Sequence, residues 1–548
     1  MQRDSKQVVL LAMPPAKKTP AKKSETASDT ASEAMPSIYE DASTRATLRF
    51  IVSCAAETPA LVGGRTVGRA YLFSSAGRPL SAKEVEQVSA RVTKLIADDL
   101  PITKKALPYA EALKYFGDAG LAQSVALLRS RSSESVEVHT LGSCSRLAFG
   151  ALAAKTSVLA AEPPVLSLHN GALLVSYGPC DGGDAPPAKR AKGASAPGHA
   201  GASVSTSLLS ASNDHAAWGA SHKVSCVGEL NSLQTCNREL HDFILHAEFR
   251  QEAKLAELAS AIAARCTGSS DADRVGVVCI AGPTSSGKTT FATKLTMYLR
   301  NLGFTGRALT VDHYYLPLDR QPRYQARKLR SDVDYDHVES MDSDLVGEHI
   351  NRLLAGEEVR TPVYNMKTGF RDGEGTPMKL PAPVDKSMLV IEGIHALNPE
   401  FLKTVPSKRL FKVYISPISS LQLDEANALK TTDNRLLRRM SRDYLFRGHS
   451  ASKTLSMWAN VRRGEHTWIF PHQDAVDMVV NSSHEYEMAI LKPLVEPLLA
   501  AVPPDDAQYA AAVRLLSLLR LFHSASTAKV PTTSLLREFI GDGAFDCH

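Results

Sequence analysis

Short apolar runs recur through the second half of the chain, and helical stretches separate them. Val275 to Ala281, Ala308 to Val311, Met388 to Ile391, Leu410 to Ile415 and Val476 to Val480 are mostly apolar and too short for helices. Runs of that kind predict strands of a parallel sheet covered on both sides. Between and before them, Leu240, Phe243, Ile244, Leu255, Leu258 and Ile262 mark a helix over about Leu233 to Ala264. Phe291, Leu295 and Leu299 mark another, closing near Gly303. The first half is different. Leu48, Phe50 and Val52 alternate like a strand, Ser81 to Asp98 has the pattern of an amphipathic helix behind a serine cap, and short elements continue to about Tyr177.

These patterns divide the chain. Residues 1–45, rich in Lys, Pro, Ser, Thr and Ala, bury too little apolar surface to fold and are expected as a disordered tail. Residues 46–178 form a smaller α+β module, and the Gly-, Pro-, Ala- and Ser-rich stretch 179–215 a flexible linker. A helical lead-in (216–272), the α/β domain (273–498) and a C-terminal helical tail (499–548) follow, without internal repeats.

Composition adds limits. A net charge of +5 over 548 residues does not by itself call for a nucleic-acid partner. No apolar run approaches the roughly 20 residues of a spanning helix, and the start lacks a secretory pattern. The expected location is the cytoplasm, with no membrane partner. The basic cluster Pro187-Ala-Lys-Arg-Ala-Lys192 in the linker leaves the nucleus open. The 8 cysteines form neither a CxxC pair nor a zinc spacing, which points to reduced thiols.

Chemistry concentrates after the first run. Gly282-Pro283-Thr284-Ser285-Ser286-Gly287-Lys288-Thr289 has the G-x-x-x-x-G-K-[ST] spacing between a strand and a helix, as a phosphate-binding loop requires. Glycines let the loop wrap with its N–H groups inward, and the helix N-terminus adds positive potential. Lys288 would reach the β- and γ-phosphates of ATP, and Thr289 would ligate Mg²⁺, with Thr290 completing the nucleotide-binding set. The fold class is thus a P-loop NTPase-type parallel sheet flanked by helices, preceded by a smaller α+β domain.

Two further strand tips carry acids. The second run ends in Asp312-His-Tyr-Tyr315, where a carboxylate would take the proton of an attacking alcohol. The third ends in Glu392-Gly393, a position suited to Mg²⁺. Downstream, Arg435, Arg438, Arg439 and Arg442 fall at helical spacing on one face. Stacked guanidiniums repel one another unless an anion is near, which suits a lid over phosphates.

Over roughly residues 275 to 495 this combination resembles the uridine kinase and phosphoribulokinase family. Tyr335-Asp336-His337, Pro362-Val-Tyr364 through Gly369-Phe-Arg371 and the run to Arg447-Gly448 belong to the same likeness. The resemblance implies Asp312 as base on a sugar hydroxyl, Asp336 on ribose hydroxyls, and Tyr315 and Tyr364 lining a nucleoside pocket. It further implies Glu392 serving Mg²⁺, Arg442 and Arg447 on phosphates, and Arg371 and Arg439 near the acceptor. Departures fall on the acceptor side: Gly369 stands where uridine kinases carry a pyrimidine-reading histidine, and Met366 replaces an aromatic. The run Met457-Trp458 through Gln473 resembles a subgroup with a threonyl-tRNA synthetase-like N-terminal region. Thr93 to Ile102, Glu111 to Phe116 and Gly142 to Gly150 fit a degenerate editing-type module. It lacks the editing residues, since Ala148 and Leu152 replace them.

Two functions stay open at this point. One is an ATP-dependent phosphotransferase acting on a nucleoside-like hydroxyl acceptor. The other is a nucleotide-gated binding protein whose N-terminal module engages RNA or protein. Oligomeric state is open in both.

Overall fold

The computed structural model describes residues 41–56, 61–67, 70–75, 78–177, 205–266, 274–321, 337–365, 368–383 and 386–545. Its centre is one parallel sheet. β1 (Val277–Ala281), β2 (Thr305–Thr310), β3 (Ser387–Glu392), β4 (Leu410–Ser416) and β5 (Met478–Asn481) stand in the order β5-β4-β1-β3-β2. β1 is buried throughout, as a middle strand covered on both faces must be.

Its side chains alternate between two cores, as pleating dictates. Val278 and Ile280 pack with Leu255, Leu258 and Ile262 of α1 (Asn237–Cys266) and with Phe291, Leu295 and Leu299 of α2 (Lys288–Asn301). Val277, Cys279 and Ala281 face the other way, towards Val346, Ile350 and Leu353 of α3 (Ser343–Leu354). Glu392 pairs opposite Ile280 on one side and Thr310 on the other, so three strand tips end level. The strand order reverses at β1, where open α/β sheets bind ligands. Three more helices follow β4 and β5: α4 (Thr431–Arg447), α5 (Ala451–Trp468) and α6 (Glu487–Ala500).

The N-terminal module is α+β, with a four-stranded antiparallel sheet (Leu61–Val67, Ala70–Ser75, Ala172–Ser176, Val165–His169). A three-stranded sheet (Thr103–Pro108, Ser135–Leu141, Cys144–Leu147) accompanies it. Its helix Ala82–Ala97 begins behind Ser81, which forms a capping box with Glu84. One expectation fails. Leu48, Phe50 and Val52 lie in a helix, Ala42–Ala55, capped by Asp41. Leu48, Ile51, Val52 and Ala55 are all buried, and the run is apolar enough to satisfy both periods. Ala42 to Arg45 and Thr206 to His215, at the edges of the expected tail and linker, lie in helices capped by Asp41 and Ser205. The C-terminal tail is helical over Tyr509–Leu519 and then turns back in short pieces ending in Arg537–Ile540.

The module is fastened to the α/β domain by the loop before α4. Glu425 accepts from the Gln123 N–H (2.7 Å), the Ser124 N–H (3.2 Å) and the Ser124 hydroxyl (2.6 Å). Gln422 accepts from the Gly64 N–H at 2.9 Å, and Tyr71 donates to the Ala426 carbonyl at 2.9 Å. Phe116, Leu127 and Val138 of the module share a core with Leu436, Leu437 and Met440 of α4. Removing the carboxylate in Glu425→Ala strands buried donors, so urea unfolding should show a loss of about 3 kcal/mol. A loss below about 0.5 kcal/mol, the range of an ordinary surface change, would mean that this loop is not the fastening.

Candidate active site

The loop Gly282 to Gly287 joins β1 to α2. A Cβ on Gly282 would come within 2.0 Å of the Ile415 carbonyl oxygen, so only glycine fits there. Gly287 closes the loop at φ +87°, left-handed backbone that glycine adopts without strain. Each peptide unit points its C=O and N–H in opposite directions, and neighbouring elements seize the carbonyls. Arg435 Nε donates to Thr284 O (2.9 Å), Arg438 Nη1 to Ser285 O (3.5 Å) and the Ser482 hydroxyl to Ser286 O (2.6 Å). Lys288 Nζ donates to Gly282 O at 3.0 Å and Pro283 O at 3.4 Å. Thr284 is further held by Glu465, which accepts from its N–H at 3.2 Å, and by Arg439, which donates to its hydroxyl at 3.3 Å.

Within this loop the Ser285 and Ser286 hydroxyls are buried without a hydrogen-bond partner. Such groups are costly unless a ligand takes them. Polar groups left for a ligand, a half-buried lysine and the start of α2 fit a phosphate chain.

The acids stand where the strand tips bring them together. Asp312 lies in a short turn, Val311–Tyr314, directly after β2, and Glu392 is the last residue of β3. Asp312 keeps contact with solvent, yet the protein packed around it pushes its carboxyl up, against the pull of Lys288, His313 and Arg447. Glu392 is pushed up to about 7 by burial and the Asp312 charge, while Lys288 and a hydrogen bond with Thr289 oppose the shift. Burial lowers Lys288, and Glu392, Glu538 and Asp312 pull it back up. Thr289, Glu392, Lys288 and Asp312 are therefore one electrostatic cluster. Its oxygen donors suit Mg²⁺.

The arginines divide into two groups. Arg435 and Arg438 are almost wholly buried and bound to protein carboxylates: Arg435 to Glu465, and Arg438 Nε to Glu487 at 2.6 Å. Arg439, Arg442 and Arg447 gather around the buried Asp443 at 3.1, 3.2 and 3.3 Å. Part of the anion that the stripe requires is thus internal. No local pattern flags Glu465 or Glu487, which arrive from other elements. Asp443 was discernible, four residues after Arg439 on the same helical face.

On the acceptor side, the Tyr315 and Tyr364 rings lie 5.4 Å apart, tilted by 40°. His313 accepts from the Tyr364 N–H at 3.2 Å, an orienting contact that spacing did not reveal. Arg371 is occupied beneath them: it donates to Tyr315 O (3.1 Å) and to Asp342 (3.0 Å). Gly369 sits at φ +81° with Leu318 about 3.2 Å from where a Cβ would stand, so this backbone does not accept a histidine readily. Asp336 and Met366 lie outside the described residues.

Residues 277–489 match the model of the Phosphoribulokinase / Uridine kinase family, so this region carries a domain of that family, within less than half of the chain. Among curated relatives, the uridine kinase of Bacillus cereus (strain B4264) is 28% identical over 215 residues, covering 39% of this chain and 89% of that protein. The uridine kinase of Bacillus thuringiensis (strain Al Hakam) gives the same identity and coverage, 28%, 39% and 89%. Among solved structures, D-glycerate 3-kinase from Cryptococcus neoformans var. grubii aligns with a TM-score of 0.21 at 16% identity, covering 52% of this chain and 87% of that one. Among the described residues no helix is long and apolar enough to cross a membrane.

Breaking a buried pair leaves a bare charge. Arg438→Ala and Glu487→Ala should each cost about 3–5 kcal/mol in denaturant unfolding, whereas the half-exposed Arg447→Ala should cost about 1 kcal/mol or less.

Proposed function

We propose that the chain is an ATP-dependent phosphotransferase, uridine kinase-like in mechanism, that moves the γ-phosphate of ATP to a hydroxyl of a nucleoside or related metabolite. The observation that carries this reading is the cluster in which Asp312 and Glu392, at adjacent strand tips, both feel Lys288 of the phosphate loop. A protein that only bound nucleotide would need no acid beside an acceptor pocket.

In this reading the loop residues Gly282 to Thr290 hold the phosphates, with Lys288 on the β- and γ-phosphates. Thr289 and Glu392 hold Mg²⁺, which when bound neutralises charge on the phosphate oxygens. Asp312 accepts the proton of the acceptor hydroxyl, and the upward push on its carboxyl makes it a better base. Arg442 and Arg447, oriented by Asp443, offset charge on the transferring group, with Arg439 alongside. Tyr315 and Tyr364 flank the acceptor, Asp336 takes its vicinal hydroxyls, and Arg371 shapes the pocket wall from below. The left-handed Gly369 argues for an acceptor read without a histidine at that place.

A second reading has one observation in its favour. The N-terminal module, which we take as a non-editing, synthetase-like scaffold, is tied to residues 422–426, just ahead of the arginine helix. Nucleotide-dependent movement of α4 would pass directly to that module and to an RNA or protein held on it. We take the cytoplasm as the working location.

Asp312→Asn should lower phosphate transfer by at least about 10²-fold in an acceptor panel of nucleosides and sugars while ADP affinity stays within about threefold. Transfer that survives the substitution would remove Asp312 as the base. Binding of ATP without transfer to any acceptor would favour the nucleotide-gated reading.

A further inference from the structure

The C-terminal segment around Ser534 to Gly541 returns to the phosphate loop from the far end of the chain. Lys294 of α2 donates to Thr533 O at 2.8 Å, and the Ser534 hydroxyl donates to Glu248 at 2.6 Å. Leu535 joins the core that contains Phe291 and Leu295, and its side chain lies 4.0 Å from where a Cβ on Gly287 would stand. The Phe539 ring faces the Arg438 guanidinium at 5.1 Å, and the Phe539 carbonyl accepts from Ser441 at 2.7 Å.

Those anchors present Glu538 to the start of α2. Its Oε2 accepts from the Thr290 N–H at 3.2 Å and from the Thr290 hydroxyl at 3.0 Å. Thr290 is the third residue of that helix, among the amides that cradle a nucleotide's phosphates in loops of this type. A carboxylate there is favoured by the same positive potential that favours a phosphate. The two anions cannot share one donor, and the Glu538 charge also reaches Lys288 and Glu392.

We propose that the C-terminal segment is a built-in competitor of the nucleotide: Glu538 takes the place of a phosphate at Thr290, and binding requires its carboxylate to swing away. The proposal rests on the nucleotide-binding reading above and adds regulation to the same site. Leu536, Phe539 and Ile540 are buried, so the segment can stay docked while one side chain leaves. The device therefore tunes affinity and does not abolish binding. Anything that draws the segment off α2 would activate the site.

Calorimetric titration of ADP into the full chain tests it, with wild type, Glu538→Ala and the near-isosteric Glu538→Gln compared and each melting temperature recorded. ADP should bind Glu538→Ala at least about tenfold more tightly, about 1.4 kcal/mol, and Glu538→Gln should gain a smaller factor. Should Glu538→Ala fail to fold, Glu538→Gln decides alone. Unchanged or weaker ADP binding in folded variants, with wild type binding ADP, overturns the competitor role and leaves the nucleotide reading intact. No ADP binding by any of the three proteins overturns both.

Discussion

The burial of Arg435 and Arg438 against the phosphate loop is the constraint from which most of the structure follows. A guanidinium cannot lose its water without anions and acceptors in return. Glu465 and Glu487 supply the charges, and the carbonyls of Thr284 and Ser285 supply acceptors. Those contacts tie the loop's carbonyls to α4 and fix the orientation of their peptide units. The loop is thereby held by the protein's own contacts, as fixed dipoles must be to act without reorganising.

The same arrangement distributes the arginine stripe between two tasks. Arg435 and Arg438 are architectural. Arg439, Arg442 and Arg447 surround one buried carboxylate, Asp443, so their positive charge exceeds what that anion offsets. A helix that is locked at one end and positively charged at the other is suited to receive an anion without rearranging. Its neighbour in sequence, the loop 421–429, is also the place where the N-terminal module grips, so α4 links the module to the loop over a short path.

Much of this was legible in the chain. Five short apolar runs predicted five parallel strands, and Ser81 announced the helix it caps, because buried strands and caps leave local patterns. The phosphate loop was legible because its geometry demands glycine twice, at Gly282, where any Cβ would collide, and at Gly287, where the backbone is left-handed. Less visible were elements whose pattern fits two periods. Leu48 to Val52 is apolar at nearly every position, and a helix buried on most sides looks like alternating strand until its neighbours are known.

The sequence by itself determined the sheet, the loop, the two strand-tip acids and the helical spacing of the arginines, since each is set within a few residues. Only the tertiary structure decided which charges meet. Glu465, Glu487 and Glu538 lie far along the chain from the loop they serve, with no spacing that links them to it. Folding brings them there because buried guanidiniums and helix-start amides must find anions, and the nearest ones in space need not be near in sequence.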